Sequence, residues 1–381
     1  MDGGAAVIYL DCAATALQKP KSVHRAVQHA MEHMTGPGRG SHRAAMAAAD
    51  TVYRCREMVA QMFHAPSVDS VVFTFNATHG LNIAIHDLVG AGDHVVVSGY
   101  EHNAVMRPLY QRNAKVNILR TPLFDEEAMV TAFARALPEA KVAICTAVSN
   151  VFGYILPLGR IAELCQLYNV PLIVDASQAA GSLALDFHAL GATYMAFPGH
   201  KGLLGPQGTG VLLCGRVPEP LLSGGTGADS RRLSMPQLLP DRAEAGTHNV
   251  PGIAGLLAGM EYIQKTGVET IAAHERELRQ LFCHQLQRFA PVELFTAPQS
   301  SQQSGVVSLR CRQSDTEALC EALDRAGVAV RGGLHCAPTA HDTVGTGDTG
   351  TVRFSFSPFN SQRDALMAAE LTKQCVNNLK S

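Results

Sequence analysis

Several features typical of other protein classes are missing from this 381-residue chain. No segment is apolar for long enough to cross a bilayer, and the first ten residues lack the basic start and long apolar run of a secretory signal. The formal net charge is -2, so there is no basic excess to neutralise a phosphate backbone. We therefore expect a cytoplasmic protein that acts on small molecules, with neither membrane nor nucleic acid as a partner.

Paired cysteine motifs are also missing. The ten cysteines are scattered and include no Cys-x-x-Cys pair, so neither a disulfide framework nor a bound metal is predicted. Most of them should be reduced and buried, where a free cysteine behaves as a small hydrophobic residue. Cys336 differs from the others because it lies in a glycine-containing, loop-forming segment.

The first two thirds of the chain alternate between apolar strand-like runs and helical patterns. This rhythm is typical of an α/β fold with a mainly parallel sheet. The predicted strands cover residues 70–74, 94–98, 142–145, 172–174 and 194–197, and two of the predicted helices cover 125–136 and 160–168.

The pattern changes after residue 255, which indicates a second unit. We expect a large domain over residues 15–255 and a smaller α+β domain formed by residues 1–14 and 256–381. The smaller domain is predicted to contain helices at 252–263, 275–289 and 362–379 and strands at 306–311 and 352–356, with the first helix crossing the boundary.

Two residues with complementary chemistry lie close together in the sequence. Asp175 ends the apolar run 171–174, and Lys201 follows in Phe-Pro-Gly-His-Lys-Gly at 197–202. A lysine amine can hold the aldehyde of pyridoxal phosphate as a Schiff base, and a carboxylate at a strand end can keep the pyridine nitrogen protonated. The pair therefore indicates a pyridoxal phosphate site, although either residue alone would be an ordinary strand end or surface lysine.

Further segments offer contacts to such a cofactor. Thr78 and His79 lie in Asn-Ala-Thr-His-Gly at 76–80, just before a helical pattern whose N-terminus would attract a phosphate, although the same residues also form ordinary helix caps. His102 follows a predicted strand and could stack on the pyridine ring or carry a proton. Gln178 is placed to bind the phenolic oxygen of the ring or a substrate group.

Other residues suit an amino acid substrate. Arg353 lies on a predicted strand, where its guanidinium could grip an α-carboxylate through two hydrogen bonds, unless Asp342 or Asp348 pairs with it. Asn150 is placed to bind either the substrate or the ring. Cys336 is preceded by His335 and lies near Arg331, and neighbouring positive charge would favour its nucleophilic thiolate.

Together, these segments resemble the class V aminotransferase group and, within it, the cysteine desulfurase and selenocysteine lyase family. The resemblance begins at Tyr-Leu-Asp-Cys-Ala-Ala-Thr (9–15), includes Glu-Ala-Gly-Thr (244–247) and ends at Val-Arg-Phe-Ser (352–355). It implies a fold type I pyridoxal phosphate enzyme that forms a homodimer with active sites at the subunit interface. The implied reaction converts L-cysteine to L-alanine and leaves the sulfur as a persulfide for an acceptor protein.

The resemblance also implies a role for each candidate residue. Lys201 would hold the cofactor, Asp175 would pair with its ring nitrogen, and Cys336 would accept the sulfur. Gln178 would contact the phenolic oxygen of the ring, and His102 would stack on the ring face. The phosphate would be held by Thr78, His79 and His200, and by Thr247 from the neighbouring subunit. The substrate would be bound by Asn150, Arg353 and Arg331.

Three positions depart from the family pattern. Pro198 stands where relatives carry serine or threonine, which removes a hydroxyl and a backbone donor and implies weaker phosphate binding. His248 replaces a small or apolar residue, and Cys12 replaces serine or asparagine. Selenocysteine lyase is the nearest alternative function. A transaminase or another lyase with an incidental Cys336, and a cofactor-poor scaffold, are more distant ones.

Overall fold

The computed structural model describes residues 7–37, 40–227, 231–312 and 314–379. The strands are β1 (Ile8–Tyr9), β2 (Val71–Thr74), β3 (His94–Ser98), β4 (Lys115–Leu119), β5 (Val142–Thr146), β6 (Leu172–Asp175), β7 (Tyr194–Pro198), β8 (Gly210–Cys214), β9 (Val292–Phe295), β10 (Val306–Cys311), β11 (Val328–Ala329) and β12 (Val352–Ser355). The α-helices are α1 (Lys21–His33), α2 (Arg43–Phe63), α3 (Ala77–Leu88), α4 (Asn103–Gln111), α5 (Glu126–Ala136), α6 (Leu158–Leu167), α7 (Phe187–Leu190), α8 (Val250–Thr266), α9 (Val268–Leu286), α10 (Thr316–Arg325), α11 (Pro338–Val344) and α12 (Gln362–Asn378).

The central sheet has seven strands in the order β2-β8-β7-β6-β5-β3-β4. Strand β8 is antiparallel to both of its neighbours, and every other neighbouring pair is parallel, so β8 runs against the remaining six strands. Parallel neighbours bring their carboxyl ends to one edge, where ligand sites of α/β proteins form.

Both faces of this sheet are covered, which explains its continuous apolar strands. Successive side chains of a strand point to opposite faces. In β3, Val95 and Val97 pack into a core with side chains of α3 and α4, whereas Val96 belongs to the core on the other face, with side chains of α2, α5, α6 and α8.

A second, smaller sheet has the order β12-β10-β9 and is antiparallel. It packs with α9, α10 and α12 in a separate hydrophobic core. The N-terminal segment joins this region, because β1 pairs with β11 and Asp11 forms an isolated parallel bridge with Ser355. The segment then leads directly towards the large sheet, where Ala16 N donates to His200 O at 3.0 Å.

The predicted α/β class with a mainly parallel sheet is confirmed. The predicted strands at 94–98 and 306–311 match the observed bounds, and the other predicted strands differ by one residue at an end. The sequence interpretation did not predict the helices α1, α2, α4, α7, α10 and α11 or the strands β1, β4, β8, β9 and β11. The boundary at residues 255 and 256 falls within α8, and the division into two domains stays a prediction.

None of the described helices is both long and apolar enough to cross a membrane. The cytoplasmic location stays a prediction.

A buried ion pair connects α2 with the segment before α8. Arg56 and Glu244 are both buried, with Arg56 Nη1 2.7 Å from Glu244 Oε1. Phe73 N also donates to Glu244 at 2.6 Å, and His248 Nε2 lies 3.0 Å from its other oxygen. Burial raises the pKa of Glu244, but Arg56 and His248 outweigh it, so the pKa lies below the usual value.

Replacing Glu244 with alanine is expected to lower the free energy of unfolding by about 3 to 5 kcal/mol, because Arg56 would stay buried without its counter-charge. Urea unfolding measures the change. Glu127→Ala, which removes the exposed partner of Arg160, serves as the control and should cost much less. Equal costs for the two variants would contradict the argument.

Candidate active site

A polar cavity of about 220 Å³ opens at the carboxyl ends of β3, β5, β6 and β7. It lies where the large sheet meets β12 and the segment before α11. The predicted site residues that line it are Thr78, His102, Asn150, Asp175, Gln178, His200, Lys201, Arg331, Cys336 and Arg353. Ten candidates scattered from residue 78 to residue 353 therefore converge on one cavity.

Lys201 follows β7, in the loop that leads to β8. Burial lowers the pKa of its amine to about 8, even though the Asp175 carboxylate pulls it upward, while the charges of Arg353 and Arg331 add to the lowering. A substantial fraction of the amine is therefore neutral near physiological pH. A neutral lysine amine is a nucleophile towards carbonyl groups.

Asp175 ends β6, next to β7 in the sheet, with Asp175 in register with Ala196. Its side chain is buried, and one oxygen accepts a hydrogen bond from Ser177 N at 2.9 Å. It forms no ion pair with a residue that the structure describes. Buried carboxylates are normally paired, so this one is suited to a cationic group bound in the cavity.

His102 is the N-cap of α4, immediately after β3 and its turn. Its Nδ1 accepts from Ala104 N at 3.0 Å, which assigns the proton of the neutral ring to Nε2. Burial lowers the pKa of His102 to about 4, against the upward pull of Asp175. The ring is therefore neutral at physiological pH.

The N-terminus of α3 also borders the cavity. Asn76 caps the helix by accepting from His79 N at 2.9 Å, which leaves the N–H groups of Ala77 and Thr78 without intrahelical partners. Both residues line the cavity. Free N–H groups and the positive end of the helix dipole make this a suitable place for a phosphate.

Arg353 lies on β12 and is almost fully buried. Its Nη2 donates to Asp11 Oδ1 at 2.7 Å and its Nη1 to Asn150 O at 3.0 Å. The alternative pairing with Asp342 or Asp348 is wrong, since the observed partner is Asp11. Five N–H groups belong to a guanidinium, so these two bonds leave donors for a carboxylate.

Cys336 is exposed at the edge of the cavity, just before α11. Burial, together with the nearby Arg353, holds the pKa of His335 well below the usual value, so His335 adds no positive charge beside the thiol. Among the residues named for this role, only Arg331, which lines the same cavity, carries a positive charge at neutral pH.

Two predicted phosphate-binding residues, His79 and Thr247, do not line this cavity, and for Thr247 the predicted contact was to the neighbouring subunit. The His79 ring stacks on Phe75, with 4.6 Å between ring centroids, and lines a neighbouring depression together with Thr247. The structure therefore does not bring these two side chains to the cavity. Two others line it but are engaged: Gln178 Nε2 donates to Ala13 O at 2.9 Å, and His200 Nδ1 lies 3.0 Å from Thr15 Oγ1.

The sequence interpretation missed two residues that support the site. Asp11 lies 342 positions from Arg353, so no local pattern could connect them. Glu101 accepts from Ser98 Oγ and from Thr146 N at 2.7 Å, and its other carboxylate oxygen has no partner among the described residues. Burial, with a smaller contribution from Asp175, raises its pKa to about 8. The sequence did offer a signal for Glu101, because it is a charged residue at a strand end, directly before His102.

Known proteins are similar in sequence to this chain along nearly its whole length. The family model "Aminotransferase class-V" matches residues 8–366. The chain belongs to the class-V aminotransferase family. The family match confirms the resemblance seen in the sequence motifs, and enzymes of this family depend on pyridoxal phosphate.

Individual relatives of this class-V aminotransferase carry a more specific description. A probable cysteine desulfurase of Methanothermobacter thermautotrophicus is 30% identical over 96% of this chain and 94% of its own. A probable cysteine desulfurase of Pyrococcus abyssi is 31% identical over 98% and 96% of the two chains.

Solved structures of similar proteins have the same fold as this chain. The apo structure of the cysteine desulfurase of Thermococcus onnurineus superposes with a TM-score of 0.89 at 28% identity, covering 98% of this chain and 95% of that one. A cysteine desulfurase of Escherichia coli superposes with a TM-score of 0.83 at 26% identity, covering 98% and 94%. The predicted fold type I architecture is confirmed.

Proposed function

We propose that this class-V aminotransferase is a cysteine desulfurase that converts L-cysteine to L-alanine and leaves the sulfur on Cys336 as a persulfide. One observation carries the proposal: an exposed cysteine lines the same cavity as Lys201, Asp175 and Arg353. The relatives described as cysteine desulfurases support it, because they match almost the full chain at about 30% identity.

The cavity suits pyridoxal phosphate in three respects. Lys201 supplies a partly neutral amine for the aldehyde, and Asp175 supplies for the ring nitrogen a buried carboxylate that forms no ion pair with any described residue. Thr78 and the N-terminus of α3 supply donors for the phosphate, to which His200 would add. When bound, the cofactor withdraws electrons from the α-carbon of an attached amino acid.

The residues of this chain then have separate tasks. Arg353 and Asn150 would bind the substrate carboxylate and so orient the substrate side chain towards Cys336. Arg331 would add positive charge at the opening of the cavity. Lys201 would carry the α-proton, because it is the basic amine inside the cavity. His102 would cover one face of the ring as a neutral group.

The proposed sulfur transfer needs no external oxidant. The Cys336 thiolate would form an S–S bond to the substrate sulfur while the Cβ–S bond breaks. The electron pair of that bond stays with the carbon side, which takes up a proton, so L-cysteine and one thiol become L-alanine and one persulfide. The exposure of Cys336 would allow an acceptor protein to collect the sulfur.

We also propose a homodimer. Thr247 is exposed and lies outside the cavity of its own subunit, in the depression that includes His79 and His248. Such a position is consistent with a contact to the phosphate of a second subunit.

Replacing Cys336 with alanine is expected to lower alanine formation from L-cysteine on the order of a hundredfold, because none of the other described residues that line the cavity carries a thiol to attack the substrate sulfur. Alanine and protein persulfide are measured together. Cys311→Ala removes a half-buried cysteine at the end of β10 and should leave both products unchanged.

Other outcomes would contradict the proposal in different ways. Full alanine formation by the Cys336→Ala protein would remove the sulfur-accepting role. A 2-oxo acid in place of alanine would favour a transaminase or another lyase. Faster turnover of L-selenocysteine than of L-cysteine, independent of Cys336, would favour a selenocysteine lyase.

Cofactor loading is expected to depend on pH through Lys201. Because its pKa is lowered to about 8, the neutral fraction of the amine should rise about tenfold per pH unit below that value and level off above it. The rate at which apo protein acquires the visible absorbance of the bound cofactor should follow this curve. A rate that stays constant down to pH 6 would show that deprotonation of Lys201 does not control loading.

A further inference from the structure

The backbone is left-handed at two consecutive residues next to the cavity, His335 (φ 50°) and Cys336 (φ 55°). Within the described ranges, they are the only neighbouring pair of non-glycine residues with positive φ. Residues with a Cβ atom disfavour this conformation, so the surrounding structure must hold the pair in place.

The His335 ring connects this turn to Thr351, the residue directly before β12. It is buried, with Nε2 3.0 Å from Thr351 O and 3.3 Å from Thr351 Oγ1. The Thr351 hydroxyl in turn donates to Ser308 Oγ on β10 at 3.2 Å. Thr351 precedes Arg353 by two residues, so the ring fixes the Cys336 segment to the strand that carries the predicted carboxylate-binding arginine.

Two further hydrogen bonds hold the carbonyl groups of the pair. Asn150 Nδ2 donates to His335 O at 2.8 Å, and Asn103 N donates to Cys336 O at 2.7 Å. Asn103 is the first residue of α4, so its N–H has no acceptor within that helix. Rotation of the left-handed pair to an ordinary backbone conformation would break both bonds.

The imidazole does not act on the thiol as a base. Its contact with the Thr351 carbonyl places the proton on Nε2, and its Nδ1 has no partner in the described parts of the chain. Burial keeps the ring neutral by lowering its pKa well below the usual value. The hydrogen bonds of the ring are therefore those to Thr351, and its other contact is a stack on the His341 ring, with 5.7 Å between centroids.

We propose that His335 is a positioning residue whose hydrogen bond to Thr351 holds the left-handed turn that presents the Cys336 thiol to the cavity. Its effect on activity rests on the proposed function of Cys336. Its effect on the backbone does not, and is measured in the protein without cofactor.

The test compares His335→Phe, which keeps a buried ring but loses the donor, with His335→Gln, whose amide nitrogen can replace Nε2. Amide-resolved hydrogen exchange of Asn103 reports on the Cys336 carbonyl, and alanine formation reports on the thiol. His335→Phe is expected to speed exchange and to slow alanine formation at least about fivefold each, with His335→Gln restoring most of both. His274→Phe, which removes a ring nitrogen 2.9 Å from Asn360 O, should change neither.

The outcomes separate the two proposals. Asn103 exchange that rises less than about fivefold in His335→Phe, or no recovery in His335→Gln, overturns the positioning role. If His335→Phe does not fold, His335→Asn gives the same comparison, since asparagine tolerates the left-handed conformation but is too short to reach Thr351. A wild-type protein that forms no alanine would refute the desulfurase proposal while the exchange data still decide the role of His335.

Discussion

Replacing Lys201 with alanine is expected to lower alanine formation from L-cysteine by at least about a thousandfold, because the same amine would both anchor the cofactor and carry the α-proton. The amine suits both tasks, since burial lowers its pKa to about 8. Alanine release under saturating cofactor measures the effect. Borohydride reduction followed by mass spectrometry should locate a covalent cofactor adduct on Lys201 in the wild-type protein.

Lys19→Ala is the matched control for this variant. Lys19 lies close enough to influence His200, but its Nζ donates to Ala16 O at 2.9 Å, outside the proposed chemistry. The control should keep its activity within about threefold of wild type. Labelling of a different lysine, or a Lys201→Ala protein with substantial alanine formation, would overturn the assignment.

Replacing Asp175 with asparagine is expected to lower alanine formation on the order of a hundredfold, with little loss of folding stability. The buried carboxylate has no ion-pair partner among the residues that the structure describes, so the fold itself does not require its charge. A bound ring with a protonated nitrogen would require that charge, because a neutral amide cannot balance it. Steady-state alanine formation and thermal unfolding measured on the same samples separate the two effects.

Asp186→Asn provides a control for this substitution. Asp186 is the N-cap of α7, is only partly buried, and does not line the cavity. Its replacement should leave the reaction rate unchanged. Activity of Asp175→Asn within about threefold of wild type would show that no ring nitrogen depends on this carboxylate.

Local patterns in the sequence were sufficient for much of the large domain. Strands such as 142–145 are continuous apolar runs because helices cover both faces of the sheet, and such runs are visible in the sequence itself. Strand β4 was missed because its side chains alternate between exposed and partly buried positions at the sheet edge, so the apolar run is interrupted. Helix α11 was missed because it has only seven residues.

The candidate site was predicted in part for the same reason. Asp175 ends β6 and Lys201 follows the neighbouring parallel strand β7, so their positions in the sequence already place them at one edge of the sheet. His79 shows where this reasoning stops. The motif places it at the helix N-terminus, but its ring turns to Phe75 and away from the cavity.

The residue types of this chain determined the α/β class and brought a lysine, an aspartate and a histidine to strand ends, because the alternation of apolar strand-like runs and helical patterns is a local property of the sequence. Only the tertiary structure decided that Asp11 pairs with Arg353, that His335 is buried and neutral, and that Cys336 adopts a left-handed backbone. These features depend on contacts between segments far apart in the chain. The effect of burial on the pKa of a side chain depends on the groups that surround it in the folded protein, so the sequence alone does not give it.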